Sequence, residues 1–144
     1  MSKNSNNNQR NDVDIVTPVY GSPFFLKSML DSMLSIDAGV RWSLTLVDDL
    51  GPDRYKTDQV YRTFASDARI KVVRNKNNIG FAATNNRGFS TGRAPLLLLL
   101  NSDILIKEQG WLARMASEFD NLNVGVVGAR HLYFQKDQHT LSIL

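Results

Sequence analysis

Residues 96–100 are an unbroken run of leucine that leads directly into Asn101-Ser102-Asp103. An apolar run of this length predicts a strand buried on both faces, as in a parallel sheet covered by helices. Such a strand has no need of an Asn and an Asp at its end. In open α/β sheets, ligands bind just beyond the carboxyl ends of the strands. The polar tip therefore stands where a site is expected, and Asp103 is a natural ligand for a hard cation.

The segments around this run alternate between the two periods of regular structure. Residues 13–18 are β-branched up to Thr17-Pro18 and predict a first strand. Tyr20-Gly21-Ser22-Pro23 is a turn, with Ser22 placed to cap a helix and Pro23 at its first position. Phe25, Leu26, Met29, Leu30, Met33 and Leu34 then recur at helical spacing. Residues 42–47 predict a second strand, which ends in Asp48-Asp49. A turn at Leu50-Gly51-Pro52-Asp53 leads into a helix over 54–65, with Asp53 as its cap and Val60, Tyr61 and Phe64 turned inward. Residues 70–74 are a shorter, more polar strand near the edge of the sheet.

After the polar loop 75–80, residues 81–89 predict a helix of small residues, bounded by Gly88 and Gly92. Beyond the leucine run, 108–119 predict a helix carrying Trp111, Leu112, Met115 and Phe119, and 124–129 a fifth strand. Strict alternation of strand and helix predicts an α/β fold, a mostly parallel, Rossmann-like sheet with helices on both faces and right-handed crossovers. No internal repeat or second domain is visible.

Composition excludes more than it selects. A chain of 144 residues suits one domain with a usable core. Its net charge of +3 favours anionic partners only mildly, and the basic residues are scattered, which argues against a nucleic-acid module. Without cysteine there is no disulfide framework and no thiolate metal site. Residues 1–12, rich in Asn and Ser, predict a disordered polar tail without the apolar centre of a signal peptide. No run approaches the length needed to span a bilayer.

Polar tips follow the first, second and fourth strands: Thr17-Pro18-Val19-Tyr20, Asp48-Asp49 and Asn101-Ser102-Asp103. In a parallel sheet these share one edge. Carboxylates gathered there repel one another unless a cation or hydrogen-bond donors lie between them. A divalent ion bridging to a diphosphate is the economical solution. A strand-end Asp can also be a cap or a turn former, which is how Asp53 is read. The segment 77–88 is the other distinctive stretch. Its small residues permit close packing or close approach of a ligand, and Arg87 is suited to phosphate. His131 and His139 lie in a weakly patterned tail, and Trp42 and Trp111 are read as packing residues. Neither a Gly-x-Gly-x-x-Gly fingerprint nor a Gly-Lys-Ser/Thr phosphate loop is present.

Taken together, Val16-Thr17-Pro18-Val19-Tyr20-Gly21, Val47-Asp48-Asp49-Leu50-Gly51-Pro52-Asp53, Asn78-Ile79-Gly80-Phe81 through Asn86-Arg87-Gly88, and Leu99-Leu100-Asn101-Ser102-Asp103 resemble the nucleotide-sugar-binding half of family 2 glycosyltransferases of the GT-A fold. The match runs over residues 13–133 and is nearest the rhamnosyltransferase-like branch. The resemblance implies inverting transfer from a nucleotide-diphosphate sugar to a glycan, lipid or protein acceptor, in the cytoplasm or at the membrane periphery. It implies that Thr17, Pro18 and Tyr20 line the nucleobase and ribose pocket. Asp49 would accept from a base N–H with Asp48 beside it, and Asn78, Gly80, Asn86 and Arg87 would flank the nucleotide. Asn101-Ser102-Asp103 stands at the family's DXD position, with Asp103 binding Mg²⁺ or Mn²⁺ and Asn101 replacing the first Asp.

The chain departs from the family in one respect. The acceptor half, which carries the general base, is not matched, so the sheet is expected to be incomplete at the C-terminus and residues 134–144 irregular or truncated. Glu108 and Glu118 do not match the position of the base, and the base stays unassigned. The alternative function is a catalytically incomplete or binding-only GT-A-like module. A receiver-like signalling module is disfavoured, because Arg74-Asn75 stands where its phosphoacceptor Asp is required.

Overall fold

The computed structural model describes residues 11–129, 132–134 and 141–143. The elements are β1 (Val13–Val19), α1 (Pro23–Ser35), β2 (Trp42–Asp48), α2 (Arg54–Phe64), β3 (Ile70–Arg74), α3 (Phe81–Phe89), β4 (Leu96–Leu99) and α4 (Trp111–Ser117). A 3-10 turn, Glu118–Asp120, follows α4, and β5 (Leu132–Phe134) pairs antiparallel with β6 (Leu141–Ile143). The main sheet is wholly parallel in the order β3-β2-β1-β4. The chain steps from β1 outward to β3, then returns to place β4 on the other side of β1. That reversal is a topological switch point, which opens a crevice at the carboxyl ends of β1 and β4.

Side chains alternate across the sheet. Val13, Ile15 and Val19 of β1 and Leu44 and Leu46 of β2 join Leu26, Met29, Leu30 and Met33 of α1 and Val60, Tyr61 and Phe64 of α2 in the main core. Val16 and Val47 point to the other face and meet α3. A Cβ added at Gly88 would lie 2.3 Å from Val16 Cγ1 and 3.0 Å from Val47 Cγ2, so α3 docks on the sheet through a bare backbone. Both valines are buried and β-branched, with little room to turn aside. Gly88→Ala is therefore expected to destabilise the fold by about 2 kcal/mol, the usual cost of overpacking. Chemical denaturation reads this directly, and an unchanged midpoint would show that the contact yields.

Four details differ from expectation. The leucine strand is half-buried on one face, through Leu96 and Leu98, and open on the other: Leu97 and Leu99 are 43% and 55% exposed. Among the described residues β4 is the outer strand, and α3 packs chiefly on β1 and β2 on that face. Residues 124–129 form no strand, and Val126 is 89% exposed. Apolar content there is not enough, because a strand needs a partner ladder and, among the described residues, Gly125 and Gly128 have no neighbour to pack on. The helix expected over 108–119 begins only at Trp111, because Gly110 turns the chain with φ +67, and it tightens to 3-10 after Ser117. Ser22 and Asp53 occupy cap positions but make no side-chain cap bond. Their backbones are left-handed, whereas a capping side chain reaches the first amides from an extended one.

Residues 1–10, His131 and His139 lie outside the described residues. Asp12, at the end of the expected tail, pairs with Arg41 at 2.8 Å. Trp42 is buried beneath the Arg69 guanidinium, 4.3 Å from the ring centroid. No described helix is long and apolar enough to cross a membrane.

Candidate functional site

A cavity of about 460 Å³ opens at the switch point. The end of β1 brings Pro18 and Tyr20, the end of β2 brings Asp49, and the tip after β4 brings Asn101, Ser102 and Asp103. The loop into α3 adds Asn78 and Gly80. These are the residues singled out in sequence that the fold gathers. Ser22, Phe25, Phe81 and Thr84 also line it and were not anticipated. Phe25 looked like part of the buried stripe of α1, but it stands outside that stripe and is 53% exposed. Phe81 follows the loop glycine as the first residue of α3 and is also exposed.

Asp48 and Asp49 part company. Asp48 faces the α1/α2 side, where Oδ1 accepts from the Leu50 N–H at 2.9 Å and Oδ2 forms an ion pair with Arg74 Nε at 3.0 Å. Arg74 also pairs with Asp58 and lies over the Tyr61 ring. Burial, reinforced by the Asp48 charge, pushes the Tyr61 hydroxyl well above its ordinary range. Asp49 faces the α3 side. Its Oδ1 accepts from Asn75 Nδ2 at 2.6 Å and from the Ile79 N–H at 2.9 Å, and its Oδ2 accepts from the Gly80 N–H at 2.9 Å. Burial opposes its ionisation, but donors from Ile79, Asn75, Gly80 and Thr84 outweigh burial and hold the carboxyl below its usual range.

Of the two ways to hold gathered carboxylates, a cation or hydrogen-bond donors, the structure has protein donors at both of these. Alternation along the strand sends them to opposite faces, and each has its own protein donors. Asp48 does not reach the cavity. Thr17 is wholly buried with its hydroxyl unpartnered, and Asn86 and Arg87 lie outside the lining, Arg87 donating to Asn75 Oδ1.

Asp103 is exposed in a turn and has no hydrogen bond or ion pair within the described residues. Among those residues no cluster of three or more acidic or histidine side chains could cage a metal. One free carboxylate beside the Asn101 amide still fits Mg²⁺ or Mn²⁺, ions that take one or two carboxylates and complete their shell with water and phosphate oxygens. Glu108 is paired with Arg114 at 2.5 Å and, like Glu118, is absent from the lining.

Several known proteins resemble this chain in fold or in sequence. A mannosyltransferase from Pyrobaculum calidifontis, solved with GDP-Man and Mn²⁺, superposes with a TM-score of 0.64 at 18% identity, over 84% of this chain and 35% of that one. TarS from S. aureus, solved with UDP-GlcNAc, superposes with a TM-score of 0.63 at 20% identity, over 77% of this chain and 31% of that one. At such identities the likeness shows the α/β GT-A fold. In sequence, an N-acetylglucosaminyltransferase of Bradyrhizobium diazoefficiens is 27% identical over 95 residues, which are 65% of this chain and 20% of that protein. The chain spans 13%, 9% and 20% of the length of curated relatives it matches. The sequence model described as Glycosyl transferase family 2 matches residues 14–142, and the chain belongs to that family.

Proposed function

We propose that this chain is the donor-binding region of an inverting glycosyltransferase that takes a nucleotide-diphosphate sugar together with Mg²⁺ or Mn²⁺. The observation that carries the reading is one cavity joining the ends of β1, β2 and β4, the start of α3 and an exposed, unpaired Asp103. The exposed rings of Tyr20 and Phe25 offer flat apolar surface to a nucleobase. The first turn of α3, from Phe81 onward, presents main-chain donors and the positive end of a helix dipole to phosphate, while the Gly80 N–H is held by Asp49. Asp103 and Asn101 would hold the ion, which when bound stabilises negative charge developing on the leaving diphosphate. The general base that transfer requires is not assigned to any described residue. The rhamnosyltransferase-like branch rests on Asn78-Ile79-Gly80-Phe81 and Asn101-Ser102-Asp103. Division into a tail over 1–12, a binding domain over 13–133 and a separate terminal stretch over 134–144 belongs to the same reading. So does placement in the cytoplasm or at the membrane periphery.

Isothermal titration with UDP and GDP tests it. Binding is expected in Mn²⁺ and is expected to weaken at least about tenfold in Asp103→Ala, the scale of one lost charge-assisted contact. With the metal chelated, wild type and variant should bind alike. Absence of binding in the presence of metal, or equal affinity of the variant, would overturn the proposal.

A further inference from the structure

We propose that Asn75 is the positioning residue of the cavity, fixing the cleft end of α3 against the sheet through its side-chain amide. The inference rests on the donor-site reading above. Asn75 directly follows β3, and its own N–H donates to the Asp48 carbonyl oxygen at 2.8 Å, one step beyond the β2–β3 ladder. Its side chain leaves the sheet on the face opposite Arg74, toward Asp49 and α3, and is buried there.

Every hydrogen-bonding group of the amide is used. The NH₂ donates to Asp49 Oδ1 at 2.6 Å and to Thr84 Oγ1 at 3.2 Å, and Oδ1 accepts from Arg87 Nη1. Only this orientation sets donors against the carboxylate and the acceptor against the guanidinium. Thr84 and Arg87 are three residues apart on α3 and share one face of the helix. Held together by one amide, they define how α3 is rotated about its axis.

Asn75 also orients Asp49, whose remaining bonds hold the Ile79 and Gly80 amides. The wall formed by Gly80 and Phe81 thus depends on Asn75, although Asn75 does not line the cavity. The far end of α3 is docked independently, by Gly88 on Val16 and Val47. Loss of the amide should therefore free the cleft end of the helix and leave the rest of the fold in place.

Amide hydrogen exchange and nucleotide titration on Asn75→Ala test this together. Exchange at Ile79 and Gly80 is expected to quicken roughly tenfold or more, with core amides such as Leu44 and Leu46 unchanged. Affinity for UDP or GDP in Mn²⁺ is expected to fall by about the same factor. Asn75→Leu, of nearly the same size, keeps the test standing if the alanine variant does not fold. Unchanged exchange at Ile79 and Gly80 overturns the proposal, as does equal loosening of the core. Looser amides with undiminished affinity also overturn it. If the wild type binds neither nucleotide, the donor-site reading fails instead, and the exchange data alone decide whether Asn75 positions α3.

Discussion

Asp49→Ala is expected to abolish nucleotide binding and to cost roughly 3 kcal/mol of stability, the sum of several orphaned donors partly relieved by water. The donors at stake are the Ile79 and Gly80 N–H groups and the Asn75 NH₂. The conservative variant Asp49→Asn isolates the charge. Because the folded carboxyl lies below its ordinary value of 3.8, the unfolded chain binds the proton more readily. The charge therefore contributes its full stability above the ordinary value and loses it as pH falls through the lower, folded value. Urea unfolding of wild type and Asp49→Asn, from neutral pH down into the acid range, reads this linkage. The gap between them should be widest near neutrality and close as the carboxyl takes up its proton. A gap independent of pH would show that Asp49 acts through shape alone.

Gly51→Ala is expected to be at least as damaging, for a reason of space. A Cβ at Gly51 would fall 2.2 Å from the Gly21 nitrogen and 2.4 Å from the Tyr20 carbonyl carbon. These are main-chain atoms of the turn after β1, so no side chain can swing away. Gly21 itself has φ +72 and already packs against Pro52. The turns after β1 and β2 thus lie backbone on backbone, and Tyr20 is carried into the cavity by that contact. Relief requires one turn to move. We expect a loss of about 3 kcal/mol, or roughly 10 °C in the unfolding midpoint, together with weaker nucleotide binding from the displaced Tyr20. Gly80 provides the contrast. A Cβ there meets nothing, and its φ of +82 alone should make Gly80→Ala the milder change. Differential scanning calorimetry of both variants tests the order, and a Gly51 variant no less stable than the Gly80 one would refute it.

Much of the fold was legible because local period encodes it. The helical spacing of Leu26, Met29, Leu30 and Met33 marked the buried stripe of α1, and the β-branched run from Val13 marked β1. The glycine and proline of Tyr20-Gly21-Ser22-Pro23 marked the start of α1. Residues 124–129 misled because Val, Gly and Ala there carry apolar content without information on a partner strand. Leu97 and Leu99 misled for a related reason. A leucine run reports hydrophobicity equally for both faces, whereas exposure depends on which helix reaches β4. Phe25, Phe81 and Asn75 gave little signal. The rings could equally have been core, and an Asn after a strand is an ordinary turn residue.

The sequence by itself determined the order of strands and helices from β1 to α4 and the polar tips at strand ends, since both follow from spacing along the chain. Parallel pairing then brought the tips to one edge. Only the tertiary structure decided that β4 returns beside β1, which puts Asn101 and Asp103 with Tyr20 around one cavity. It also separated Asp48, held by Arg74, from Asp49, held by Asn75, Ile79 and Gly80. The partners of Asp49 lie 26 to 31 residues along the chain, and no local pattern links them. Alternation says that adjacent side chains part, but which group waits on each face is set by the long-range packing of α2 on one side and α3 on the other.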